Sequence, residues 1–153
     1  MIIFLAENIN SLSGGGVATR SNLRRLTEEF PNDHLKVVDV TYEVSGLYNK
    51  IVGLVFGTTR PLDLMRLILT SPSNLVWIDR STYVWLILLF PFKRNCRWRV
   101  FMHNNEIKYH RDLAVLHKSL GAWLRVLFLS SYMWLCRLPF IELYTINPID
   151  KKS

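Results

Sequence analysis

The chain is short of cysteine, of acidic residues and of long apolar runs, and each shortage narrows what it can be. Its two cysteines, Cys96 and Cys136, lie far apart with no Cys-x-x-Cys spacing. They build neither a disulfide framework nor a metal site, so a reducing compartment is the default. Each reads as a small buried hydrophobe. The longest uncharged apolar runs, STYVWLILLFPF and VLFLSSYMWLC, fall short of the roughly 18–20 residues of a membrane-spanning helix. The opening MIIFLAENIN has no basic start and too short an apolar run, and carries Glu7, so a secretory signal is not expected. Asp and Glu number 12 against 19 Lys and Arg, giving a formal net charge of +7. That excess calls for an anionic partner: a phosphate ligand, nucleic acid or an anionic membrane face. No nucleic-acid motif is present and the basic residues are scattered, which argues against nucleic acid.

What is present is a single-domain length of 153 residues, half of them hydrophobic, enough for a real core. Ile2 to Ala6 is a continuous apolar run, the mark of a strand buried on both faces. A glycine loop follows. From about Gly16 to Phe30, Leu23, Leu26 and Phe30 recur at helical spacing among Arg20, Arg24, Arg25, Glu28 and Glu29, which predicts an amphipathic helix. Pro31 to Asp33 is a turn. Further strands are expected around Val37 to Val40, Leu75 to Asp79, Trp98 to Met102 and Phe140 to Ile146. Helices are expected over Gly46 to Phe56, Leu62 to Leu69, Tyr83 to Phe90 and Glu106 to Cys136, the last broken near Gly121. Periodicity alone does not separate helix from strand over Tyr83 to Phe90. Strands alternating with helices predict an α/β fold, a Rossmann-like open parallel sheet sandwiched by helices. Ligands of such sheets sit beyond the C-terminal strand ends.

Those ends are where the candidate residues fall. After the first strand, Gly14, Gly15 and Gly16 open a helix, an arrangement suited to bringing backbone N–H groups to an anion; its alternative is a turn without a ligand. No Lys-Ser/Thr pair follows, so this is not a P-loop. Gly14 and Gly16 nearly match a dinucleotide fingerprint, with Thr19 at the third glycine position and Asp39 as a ribose partner, which keeps a NAD-binding oxidoreductase domain as one alternative. After the third strand come Asp79 and Arg80, with Asp79 also able to cap the next helix. After the fourth comes HNNEIKYHR. His103 stands at the strand end, Asn104 or Asn105 can cap the next helix, and Glu106 complements its dipole. Lys108, His110 and Arg111 add positive charge. After the fifth strand, Asn147 to Asp150 can begin one more helix.

Three segments in order, SGGGVATRSNLRRL, VFMHNNEIKYHR and ELYTINPIDKKS, resemble the N-terminal domain of GT-B glycosyltransferases, in particular the group with the family 4 retaining enzymes of polysaccharide and lipopolysaccharide synthesis. The third departs from that pattern, with Asn147 where Ser is usual and Pro148 where Glu is common. The resemblance covers essentially residues 1–153. It implies a transferase domain on the acceptor side of a cleft, with no metal and no separate cofactor. Gly14, Gly15 and Gly16 would face the donor diphosphate and His103 the donor sugar as the catalytic group. Asn104, Glu106, Asp79 and Arg80 would line the cleft or acceptor site. The partners implied are a nucleotide-sugar donor and a glycan or lipid-linked acceptor. The nucleotide-sugar site proper belongs to a second, C-terminal domain with no counterpart in these residues. The expectation is therefore a truncated or split enzyme, inactive alone, or a subunit whose partner carries the donor domain. A noncatalytic binding subunit or relic is the other alternative.

Localisation is expected to be cytoplasmic and peripheral to the inner face of the membrane. Tyr83 to Arg99 joins an apolar block to Lys93, Arg94, Arg97 and Arg99. Leu120 to Arg137 sets Trp123, Phe128, Tyr132 and Trp134 beside Arg125 and Arg137. Such adjacency suits an anionic interface; core helices with solvated basic ends are the alternative.

Overall fold

The first apolar run becomes the centre of the molecule. In the computed structural model, which describes residues 1–7, 9–12, 14–40, 46–102 and 106–145, strand β1 (Ile2–Ala6) is buried along its whole length. It pairs in parallel with β2 (Leu35–Asp39) on one side and β3 (Leu75–Ile78) on the other. Strands β4 (Arg97–Met102) and β5 (Ile141–Thr145) extend the sheet in the order β2-β1-β3-β4-β5, all parallel. The fold is the expected α/β open sheet. β2 is an edge strand with an exposed pattern rather than a buried one. Its place at the edge leaves Val37 open to solvent.

The order reverses between β1 and β3. One face is covered, among the described residues, by a single helix, α1 (Gly14–Glu29). Alternation sends Ile2, Phe4, Ala6, Leu75, Trp77 and Phe101 to this face against Leu26. The opposite face carries Ile3, Leu5, Val76, Ile78, Trp98 and Val100. It is covered by α2 (Gly46–Phe56), α3 (Pro61–Thr70), α5 (Leu120–Met133) and a 3-10 helix over Ser81–Phe92, with α4 (Glu106–His117) packed on α5. Tyr83 to Ile87 is almost wholly buried, so this apolar block forms core rather than a surface. It docks through Tyr83 Oη donating to the Gly57 carbonyl at 3.2 Å and Trp85 Nε1 to the Phe56 carbonyl at 2.9 Å. Gly57 itself has φ +69°, and a Cβ there would strike the Thr82 methyl. The break expected near Gly121 falls earlier. Lys118 takes a left-handed φ of 47°, and Ser119 Oγ accepts from Ala122 N at 3.3 Å. A Ser cap thus starts α5 before the glycine.

Arg125 is engaged within the fold. Its Nη1 donates to the carbonyls of Gly53 and Leu54, at 3.3 and 2.5 Å, and compensates the last turn of α2. His110 lies beside it, its pKa lowered by burial and then by the Arg125 charge. Both effects disfavour a positive charge on this imidazole.

The end of α1 is fixed by Arg99, which is buried in β4. Its Nη1 and Nη2 each donate to Glu29 at 2.8 Å, and its Nε to Glu142 at 2.6 Å. The guanidinium also lies 5.5 to 5.9 Å from the ring centres of Phe30, Trp77 and Tyr144. Burial works against its charge, but the hydrogen bonds it donates to Glu29 and Glu142 outweigh that and leave the Arg99 pKa raised. The hydrogen bond from Arg99 holds the Glu29 carboxyl below its ordinary 4.5. A depressed carboxyl stabilises the fold above its unfolded-state pKa, and that contribution is lost as pH falls through the folded value. Glu29 is 41% exposed, so solvent screens the pair. Glu29→Gln should cost about 1 kcal/mol at pH 7 and progressively less as pH falls below 4.5 and through the lowered folded-state value. Denaturant unfolding of both proteins across that pH range measures this.

Candidate functional site

The β1/β3 reversal is where an open parallel sheet offers a crevice. Two of the sequence-predicted residues lead off from it directly. Asp79 follows β3, with its N–H donating to the Leu5 carbonyl at 2.9 Å. Its side chain is fully buried. It accepts hydrogen bonds from Thr19 Oγ1 at 2.5 Å, Asn22 Nδ2 at 2.8 Å and Trp77 Nε1 at 3.3 Å. Thr19 and Asn22 are three apart on α1, so one face of the helix presents both to the carboxylate. Asp79 thus fixes α1 against the sheet and stands behind the crevice rather than lining it.

Arg80 lies further out. Its Nη1 pairs with Glu7 Oε2 at 3.3 Å, bridging the ends of β1 and β3. Its Nε is buried with no hydrogen-bond partner.

The glycines form the first turn of α1, which contains no acidic side chain. Gly16 is buried, and a Cβ there would land on the Ser11 carbonyl oxygen. That oxygen, with the Ile9 carbonyl, accepts from Arg20 Nη1 at 2.7 and 2.9 Å. The loop is therefore folded onto its own helix, and Arg20 stitches it there. Gly16 is required for this close approach whether or not an anion arrives. The arrangement leaves an N-terminal helix turn rich in backbone donors.

His103 and Asn104 lie outside the described residues. Glu106 is the first residue of α4, with its side chain likewise outside the description. Asp39 ends the exposed edge strand β2. Among the described residues no group of three or more His, Cys, Asp or Glu is placed to hold a metal ion.

Sequence reading missed Thr19, Asn22, Glu7 and Arg20. The available signal was that Thr19 and Asn22 interrupt the apolar stripe of α1, where a polar residue needs a buried partner. It also placed Arg99 among surface cations, whereas the strand buries it.

Two outcomes follow for stability. Asp79→Ala strands a buried hydroxyl, an amide and an indole N–H, and should cost about 3 kcal/mol. Gly16→Ala forces the Ser11 carbonyl away and should cost about 1–3 kcal/mol. Thermal or denaturant unfolding checks both, with Arg24→Ala, on an exposed helix pair, as the near-neutral control.

No protein-family model, no curated protein and no solved structure matches this chain, so its residues and their geometry are what a functional reading rests on.

Proposed function

We propose that this domain is the acceptor-side half of a GT-B type glycosyltransferase, holding one wall of a cleft for a nucleotide-sugar diphosphate. The observation that supports this best is the glycine-led first turn of α1, free of acidic side chains, on a helix tied through Thr19 and Asn22 to Asp79 at the end of β3. Backbone N–H groups of a helix start attract phosphate oxygens, and the aligned peptide dipoles favour the negative charge. In this reading Arg80 exchanges its Glu7 partner for the ligand anion. His103, which follows β4 in the sequence, supplies a polar group toward the sugar. Asp79 acts as a positioning residue that sets the pitch of α1. Neutralising a departing diphosphate needs cations from a second wall, which a donor domain brings.

Peripheral membrane attachment accompanies the proposal, on a surface that keeps part of the Leu120 to Arg137 segment and replaces the Tyr83 to Arg99 segment. No described helix is long and apolar enough to cross a membrane. Leu47, Tyr48 and Ile51 on α2, Val115 and Leu116 on α4, and Leu120 and Leu127 on α5 are more than half exposed. Lys50, Arg111 and Lys118 are exposed on or beside the same helices. An apolar surface rimmed by cations suits an anionic interface.

Titration of the chain with nucleoside diphosphate sugars should move the amide resonances of residues 14–17 and Arg80, and Arg80→Gln should weaken the binding about tenfold. Movement confined to other regions, or tighter binding of NAD, would contradict the reading. No sugar transfer is expected from residues 1–153 without a donor domain. Co-sedimentation with anionic vesicles should weaken with salt and with Leu116→Ser plus Leu120→Ser. Equal binding to neutral vesicles would remove the electrostatic part.

A further inference from the structure

α4 is packed on α5, and the two helices leave an open groove of about 450 Å³ along their outer side. It is lined by Arg111, Asp112, Val115 and Leu116 of α4 and Trp123 of α5. Ala114 of α4 and Val126 and Leu129 of α5 are the buried residues of this hairpin, so the groove lies on the faces that the two helices turn outward. Val115 and Leu116 are more than half exposed, and Trp123 is 42% exposed. Leu120 and Leu127, three residues before Trp123 and four after it, continue the same stripe along α5 and are also more than half exposed. A contiguous apolar patch of this kind marks an interaction surface.

The two charged groups of the groove point to its occupant. Arg111 and Asp112 are exposed neighbours of opposite sign, and neither side chain has a partner among the described residues. Consecutive residues of a helix do not face each other, so the two do not neutralise one another. An anionic lipid surface attracts Arg111 but repels Asp112. A second copy of the same groove answers both. Contacts about a two-fold axis are reciprocal, so Arg111 meets the partner's Asp112 while Asp112 meets the partner's Arg111. The apolar residues are then covered by their own counterparts, with Trp123 as the large aromatic anchor common at interface centres. We infer that the α4/α5 groove is the contact surface of a two-fold homodimer, its register set by these reciprocal ion pairs. The inference is independent of the diphosphate reading. It shares Val115, Leu116, Leu120 and Leu127 with the membrane face, so a copy held in the dimer withholds that part of the face from a vesicle.

Sedimentation velocity of the full chain over a concentration series should show a monomer–dimer equilibrium. Arg111→Asp and Asp112→Arg each turn two attractive pairs into two repulsive ones. Each should raise the dissociation constant about a hundredfold, and at exposed positions should leave the circular dichroism unchanged. An equimolar mixture of the two variants restores opposite charges at both contacts and should form a heterodimer of near-original affinity. Mixing rescues a lost contact but not a lost fold. Leu116→Ser should weaken the dimer about tenfold. A monomer at every concentration overturns the proposal, and loss of vesicle capture in Leu116→Ser would then assign the face to the membrane. A dimer indifferent to both charge reversals, or a mixture that stays monomeric, overturns it as well.

Discussion

The buried carboxylate of Asp79 is the contact on which the arrangement of this molecule depends. A carboxylate taken fully out of water is tolerated only when its oxygens are hydrogen-bonded. Asp79 meets that requirement by drawing Thr19 and Asn22 of α1 and the indole of Trp77 onto itself. The cost of burying the charge thereby becomes a geometric constraint. The two donors from α1, three residues apart on one face of the helix, restrict how that helix can lie on the sheet. The lateral position of α1 follows, and with it the position of its glycine-led start.

At its other end the same helix meets a second ionic anchor, Arg99 with Glu29. The two anchors differ in character. Asp79 is sealed and depends on neutral donors. Arg99 is packed among Phe30, Trp77 and Tyr144, while its carboxylate partners reach toward solvent. α1 is the helix that the described residues place on this face, so apolar packing by Leu26 and its neighbours leaves its rotation and slide weakly specified. Directional bonds at both ends supply what the packing does not. The opposite face has several helices and many interlocking apolar side chains, and there the side-chain hydrogen bonds seat individual residues, as Tyr83 and Trp85 show.

Much of this architecture is legible in the sequence, for reasons that can be stated residue by residue. Ile2 to Ala6 and Leu75 to Ile78 are continuous apolar runs because both faces of those strands are covered. α1 is visible because Leu23, Leu26 and Phe30 recur at helical spacing. β2 was harder to read. Its apolar residues resemble those of a central strand, and only the pairing order makes it an edge. Ser81 to Phe92 is apolar on all sides and so carries no period. The candidate crevice was legible as strand-end positions: the glycines, Asp79 and Arg80. What those residues do was not, because Thr19 and Asn22 meet Asp79 across a large sequence separation that no local pattern encodes. Arg99 was misplaced for a related reason. A cation in a strand reads as exposed until its partners, Glu29 and Glu142, are brought beside it by the fold.

The central claim is that α1 is held to the sheet as one rigid piece, so that its N-terminal turn is a fixed feature of the β1/β3 crevice. Native-state amide hydrogen exchange tests this most directly, comparing residues of α1 with those of β1 and β3 as denaturant is raised. The account predicts that amides from Thr19 to Leu26 exchange only through the same global opening as Phe4 and Trp77. In Asp79→Asn the N-terminal half of α1 should acquire a separate, lower-energy opening while its Glu29 end remains tied. Exchange of α1 by local opening in the unaltered protein, independent of the strands, would contradict the account.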